Sequence, residues 1–236
     1  MPVATTLVAP GGTLGVASYR FEEGTGSTSA DASGNNHTVI LGSSVVGDNA
    51  EPDWSSGVTG NGLRFNGIND YAQITDPGDL TFTGSFTVEC WTKRSGDPED
   101  MALVSKGATT VRNYRLEVTS SAGADFSFKD IAGNTYSASS SGTILDNEWH
   151  HVAGVWDATV RQMRLYVDGT LRATTAVPAG TLTTSSEPVY LAARMSTSGL
   201  GRYLYGLLDQ VRLSNTAVYT DNFAPPYAFT TLPTKY

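Results

Sequence analysis

Trp149-His150-His151-Val152-Ala153-Gly154-Val155-Trp156-Asp157, followed by Met163-Arg164-Leu165-Tyr166-Val167-Asp168-Gly169-Thr170-Leu171, decides how this chain folds. The second stretch reads as a hairpin, because Asp168-Gly169 supplies the positive φ angles of a two-residue turn between two alternating runs. Met163, Leu165 and Val167 share one face of the first arm, since successive side chains of a strand point to opposite sides. Leu171 and Ala173 are expected to continue that apolar face on the second arm, with Arg164 and Arg172 pointing elsewhere. The hairpin is therefore one layer of a sandwich.

The rest of the chain agrees. Apolar residues make up 39% of the 236 positions and charged residues only 16%, and Gly is abundant, which suits many short strands joined by turns. No window sustains apolar spacing at three and four residues over a helical length. Dipeptides such as Gly11-Gly12, Asn61-Gly62, Asn66-Gly67 and Ser198-Gly199 punctuate the sequence instead. An all-β chain with one sizeable core is expected. The net charge of −8 argues against nonspecific nucleic-acid binding, which needs clustered Lys and Arg around phosphates. A single cysteine excludes an intramolecular disulfide, and Cys90 shares a strand face with Phe86 and Val88, so it reads as a small buried hydrophobe.

Several stretches carry a resemblance. The opening pair of segments is similar to the W-H-H-V-A and M-x-L-Y-V-D-G core of the laminin-G-like jelly rolls, in the concanavalin A-like lectin and glucanase superfamily. Tyr19-Arg20-Phe21-Glu22-Glu23-Gly24 with Asp31-Ala32-Ser33-Gly34-Asn35-Asn36 resembles that family's first strand and loop. Leu63-Arg64-Phe65-Asn66-Gly67-Ile68-Asn69-Asp70-Tyr71, Phe86-Thr87-Val88-Glu89-Cys90-Trp91 and Gly206-Leu207-Leu208-Asp209-Gln210-Val211-Arg212-Leu213 resemble later strands, in the family's order. The resemblance covers roughly residues 17–215 and implies a two-sheet antiparallel jelly-roll sandwich over 16–215. Residues 1–15 are expected to form an extended N-terminal arm, and 216–236 a Pro-rich strap.

The glucanase branch of that superfamily uses paired carboxylates on one strand, and no such run is present. Glu22 and Glu23 are adjacent and point to opposite faces, and Asp97-Pro98-Glu99-Asp100 reads as a turn. The chain is therefore expected to be no enzyme. His150 and His151 are consecutive and cannot ligate one metal together, so core or cross-strand hydrogen bonding is their expected role. The resemblance implies one structural Ca²⁺, with Asp209 as the leading ligand and Glu22 or Glu23 from the first strand. Pentraxin-like relatives place calcium in loops instead, for which Asp31, Asn35, Asn69 and Asp70 would serve. The same side chains equally suit turn caps that accept backbone amides.

Sugar recognition needs exposed aromatic faces beside amides or carboxylates. Trp54, Tyr114, Tyr136 and Tyr203, the last in the run Tyr203-Leu204-Tyr205, are the candidates, while Trp91, Trp149 and Trp156 read as core. Residues 1–10 have neither a basic n-region nor an apolar h-region and do not read as a secretory signal, and no segment is long and apolar enough to insert in a membrane. A processed chain and exit without the secretory pathway, as when a phage is released by lysis, are the two readings this leaves. Val218-Tyr219-Thr220-Asp221-Asn222-Phe223-Ala224-Pro225-Pro226-Tyr227-Ala228-Phe229 resembles the tail after laminin-G-like domains in many phage structural proteins. That implies a virion surface protein, a capsid decoration or tail fibre component. Its partners would be viral capsid or tail proteins, further copies of itself in a homo-oligomer, and host or environmental glycans. An extracellular bacterial carbohydrate-binding module and a glycoside hydrolase with an unrecognised site are the alternatives.

Overall fold

A computed structural model describes residues 16–43, 49–75, 78–94, 99–142 and 144–229. The N-terminal arm expected over 1–15 and the last residues of the expected strap, 230–236, lie outside the described residues. In chain order the first strands are β1 (Ala17–Tyr19), β2 (Thr28–Ser29), β3 (Val39–Leu41), β4 (Asp53–Ser56), β5 (Asn61–Asn66) and β6 (Ala72–Ile74). Next come β7 (Phe86–Arg94), β8 (Met101–Gly107), β9 (Arg112–Val118), β10 (Ala124–Lys129), β11 (Thr135–Ser139) and β12 (Trp149–Asp157). The series closes with β13 (Gln162–Val167), β14 (Thr170–Ala176), β15 (Val189–Leu191), β16 (Arg194–Ser196), β17 (Gly199–Gly201) and β18 (Tyr205–Ser214).

Sixteen of these strands form two eight-stranded antiparallel sheets, and β16 and β17 pair with each other apart from them. The front sheet runs β14-β13-β12-β7-β18-β5-β4 with β1 also beside β18, and the back sheet runs β11-β10-β9-β8-β15-β6-β3-β2. Among the described residues there is no helix, so the all-β sandwich expected from the sequence is what the chain forms. Alternation explains the layering: Phe86, Val88 and Cys90 of β7 and Met163, Leu165 and Val167 of β13 all enter one core. From the back sheet Tyr114 and Leu116 of β9 and Phe126 and Phe128 of β10 meet them. Phe86 packs edge-on to Phe126 at 5.7 Å, and Phe128 to Trp156 at 5.2 Å. Gly154 is required here, because a methyl group at that position would overlap the Phe126 ring. Burial in this core pushes the Cys90 thiol far above its usual range, which leaves no thiolate to react.

The hairpin turn has φ of 51° at Asp168 and 69° at Gly169, the conformation that the dipeptide demands. Its second arm differs from the alternation read off the sequence. A bulge pairs Leu165 with Ala173 but Tyr166 with Leu171, so Arg172 is the extra residue and Leu171 lies on the outer side, 39% exposed. Only Ala173 faces the core.

A second bulge shapes the outer face of the front sheet. On β18, Asp209 lies opposite Trp91 but Arg212 lies opposite Glu89, so one residue more is accommodated there, and Gln210 takes a left-handed φ of 47°. Before the bulge Tyr205, Leu207 and Asp209 share the outward register with Lys93 and Trp91. After it the outward position passes to Arg212, opposite Glu89, while Val211 and Leu213 enter the core.

The strap covers the half of that face beyond the bulge. Tyr219 stacks on Phe223 at 3.5 Å, Phe223 N–H donates to Gly169 O at 2.9 Å, and Trp91 Nε1 donates to Pro226 O at 2.9 Å. Phe229 is buried and its N–H donates to Gln210 Oε1 at 3.0 Å. The strap thus lies across a sheet face, not along an edge. Pro225 and Pro226 suit it, since a segment that crosses a face makes no ladder and needs few N–H donors. Trp91 is buried on this outer face, stacked under Tyr227 at 5.2 Å, and Trp149 lies half-buried opposite Lys93. Of the three tryptophans expected in the core, only Trp156 is part of it.

Candidate functional site

The half of the front sheet that the strap leaves open holds a recess of about 390 Å³, within the roughly 300–1,000 Å³ that suits a small ligand. Its floor is β5, β18 and β7, which contribute Arg64, Tyr205, Leu207 and Lys93, and its rim carries Asp53, Asp70 and Asn147. The strand register sets the arrangement, since Tyr205 lies opposite Asn66, and Leu207 opposite both Arg64 and Lys93. Tyr205 is 53% exposed, held from below by the Asn66-Gly67 turn. At Gly67 the φ is +73° and a methyl group would press on Tyr205 Cβ, so glycine is required on both counts.

The polar groups of the recess fall into two sets. Arg64 Nη2 donates to Asp53 Oδ2 at 2.7 Å, and both ends of that pair are largely exposed. Asp70 is engaged by Asn66, whose N–H reaches Oδ2 at 2.9 Å and whose Nδ2 reaches Oδ1 at 2.7 Å. Burial raises the Asp70 carboxyl above its ordinary value, against the Asn66 amide, which lowers it. Lys93 and the Asn147 side chain make no hydrogen bond or ion pair among the described residues, and the Tyr205 ring has an open face. These three remain available to a ligand.

The sequence candidates are dispersed. Tyr114 is fully buried between Phe82 and Phe86, with its hydroxyl donating to Leu80 O, so it cannot stack on a sugar. Trp54 lies opposite Leu63, packs on the core and donates from Nε1 to Gly26 O at 2.8 Å. Tyr136 packs on Phe128 and donates to Asp130 Oδ2 at 3.0 Å, beside a wider groove on the far side of the molecule. Tyr203 is half-buried outside the recess, and Tyr205, two residues on, is the aromatic that lines it. Arg64, Lys93 and Asn147 give no site signal in the sequence, because nothing short of strand register brings residues 53–70, 93, 147 and 205–207 together.

The calcium candidates are likewise held by the protein itself. Asp209 Oδ2 accepts Val58 N–H at 2.9 Å and Thr59 N–H at 3.3 Å, and Oδ1 accepts Gln210 N–H at 2.6 Å. Burial outweighs those amides and pushes its carboxyl up to about 7. Glu22 Oε2 accepts Asn61 N–H from the same turn, whose Gly57 and Gly60 admit the two carboxylates where a methyl group would collide with them. Backbone amides thus take up lone pairs on both Asp209 oxygens, and among the described residues no third His, Cys, Asp or Glu joins Asp209 and Glu22. Glu23 accepts Ser29 and Ala30, and Asp31 accepts the N–H groups of Ser18, Ser33 and His37. Asn35 donates to Val16 O, and Asn69 joins Asn66 to Asn49 O, so all of these pin loops. No group of three or more His, Cys, Asp or Glu side chains converges on a metal position among the described residues.

Under the strap, Glu89 is the centre of a buried network. Arg212 Nη2 lies 2.7 Å from Oε1, and on Oε2 His151 Nε2 lies at 3.1 Å and Tyr219 Oη at 2.8 Å. Burial pushes the Glu89 carboxyl up, but Arg212, His151 and Tyr219 together carry it down to about 2. Arg212 also lies over the Phe229 ring at 4.2 Å. His151 therefore has the cross-strand hydrogen-bonding role expected of it.

With two jelly-roll sheets, their register and this recess established, comparison with known proteins defines the class. The family model for the concanavalin A-like lectin/glucanases superfamily of the laminin-G type matches residues 66–222, and the chain belongs to that family. The binding domain of Paraclostridial Mosquitocidal Protein 1 is similar in structure, with a TM-score of 0.69 at 16% identity over 86% of this chain and 49% of that one. The botulinum neurotoxin serotype G binding domain gives 0.63 at 11% identity, covering 87% and 48%. The serotype D ligand-binding domain, solved with N-acetylneuraminic acid, gives 0.63 at 13% identity, covering 88% and 48%. These identities show a shared fold, and the chain spans about half the length of each of those structures. No curated protein matches the chain in sequence.

Proposed function

We propose that this chain is a non-catalytic glycan-binding domain and that the sugar occupies the recess over Tyr205. The observation that carries this reading is the 53% exposed Tyr205 ring beside an Arg64–Asp53 pair and two unengaged polar side chains, Lys93 and Asn147. A pyranose ring stacks its C–H face on such a tyrosine while its hydroxyls take the charged and amide groups. The toxin binding domains named above share this fold, and one of them holds a sialic acid, which agrees with a binding role. Hydrolysis fits less well, because both Asp70 oxygens accept N–H donors and Asp53 faces a guanidinium, so neither carboxyl is placed to donate a proton to a leaving group.

The domain is further proposed to act on a virion surface, as a capsid decoration or fibre component. That placement rests on the resemblance of residues 218–229 to phage structural tails. The bacterial carbohydrate-binding module uses the same recess and differs only in where the protein resides. A glycan array probed with the wild type and Tyr205→Ala tests the binding, and immunogold microscopy of lysate particles tests the placement. Array signals that Tyr205→Ala removes are the expected result. No signal with the wild type, or signals unchanged in the variant, would refute the site.

A further inference from the structure

We infer that the recess selects a sugar bearing a single carboxylate, recognised by Lys93. This rests on the glycan-binding reading above and adds the ligand's charge. Among the described residues each ionised group in the recess has a partner except one: Arg64 faces Asp53 at 2.7 Å, and Asp70 accepts two donors from Asn66. Lys93 has neither a hydrogen bond nor an ion pair among the described residues, yet it lines the same recess as the exposed Tyr205 ring. Its place is fixed by the sheet, opposite Leu207 on one side and Trp149 on the other. A neutral sugar offers that ammonium only hydroxyl acceptors, whereas a carboxylate at ring height gives it a charge-assisted hydrogen bond. Asn147, free on the rim, offers an amide to the second carboxylate oxygen or an adjacent hydroxyl.

The charge of the whole chain limits the ligand further. At −8 the protein's net charge opposes an extended polyanion, and one ammonium beside a neutralised pair is little to set against it. A sulfated glycosaminoglycan is therefore a poor match, and a neutral oligosaccharide that ends in one acidic residue is a good one. Sialic acids and uronic acids both present that chemistry.

Calorimetric titration of the full chain with matched pairs tests this: lactose against sialyllactose, and galactotriose against trigalacturonate trimmed to one free carboxylate by methyl esterification. The expected result is that the acidic member of at least one pair binds about tenfold tighter at low salt, a difference that shrinks as salt rises. Which pair shows it identifies the sugar. Lys93→Gln should erase the difference, bringing the acidic member to the affinity of its neutral partner, while Tyr205→Ala weakens both members, and unchanged melting of each variant shows that the fold is intact. Equal wild-type affinities within both pairs, a preference retained in Lys93→Gln, or tighter binding of a heparin oligosaccharide would each overturn the inference while leaving glycan binding standing. If no member of either pair binds, both the inference and the reading beneath it fall.

Discussion

On the outer face of the front sheet, residues Tyr205 to Leu207 of β18 border an open recess, whereas Arg212 of the same strand lies beneath the strap. Both halves carry charged and aromatic side chains, and the difference is in what those groups touch. Under the strap Arg212, His151 and Tyr219 all bond to the buried Glu89 carboxylate. In the recess Lys93, Asn147 and Tyr205 are accessible, and among the described residues their side chains are unengaged. A buried polar network that is closed on itself specifies structure, and an accessible set with unused donors is what a ligand can engage. The bulge at Gln210 is the boundary, because it moves the outward register from odd-numbered to even-numbered positions.

That contrast breaks most readily at Glu89. Glu89→Gln leaves the Arg212 guanidinium buried without its counter-charge and is expected to cost about 3–5 kcal/mol in urea unfolding, the range for breaking a buried pair. Acid should act on the same group. Glu89 is depressed to about 2 in the folded chain from an ordinary value of 4.5, so its stabilisation is complete above pH 4.5 and declines as pH falls toward 2. Melting followed down that range should show a wild-type decline that is smaller in Glu89→Gln. Tyr219→Phe removes one hydrogen bond to the buried carboxylate and should cost about 1.5–3 kcal/mol, with the strap loosened in hydrogen exchange at Phe223 and Phe229.

Smaller effects are expected outside the network. His150, clamped by Asp168 at 2.7 Å and Asp146 at 2.9 Å, is raised to about 9, first by the Asp168 hydrogen bond, against burial, with Asp146 adding to it. Its stabilisation is complete below pH 6.5 and is lost as pH rises through 9. Exposure to solvent limits it to about 1 kcal/mol or less, read as the wild-type melting decline that His150→Gln lacks. Tyr205→Ala should change stability by no more than about 0.5 kcal/mol while abolishing glycan binding, which is the sharpest separation of the two halves.

How far the sequence reveals this molecule depends on the range of the interaction involved. The Asp168-Gly169 turn and the inward faces of β7 and β13 are local matters of φ preference and alternation, and they are legible. The bulge at Gln210 is not, because glutamine gives no left-handed signal and only the two-sheet environment forces the extra residue. Without the bulge's position, the outward side of Tyr203 and Tyr205 cannot be assigned, and Tyr114 reads as exposed because it stands between Asn113 and Arg115 on a strand that is buried on both faces. The strap's aromatics are plain in the sequence, but the face they cover is a tertiary choice made by Trp91, Glu89 and Tyr166. The recess is the least legible feature, since its residues come from four separate stretches.

The most direct test is to map an oligosaccharide ligand onto the labelled protein by amide chemical-shift perturbation. Shifts at Arg64, Asn66, Lys93, Asn147 and Tyr205 to Leu207, with Tyr166 and Tyr219 to Phe229 unmoved, are the predicted result. Shifts centred on the strap, or spread over the back sheet with the recess silent, would contradict the division of the face into a binding half and a structural half.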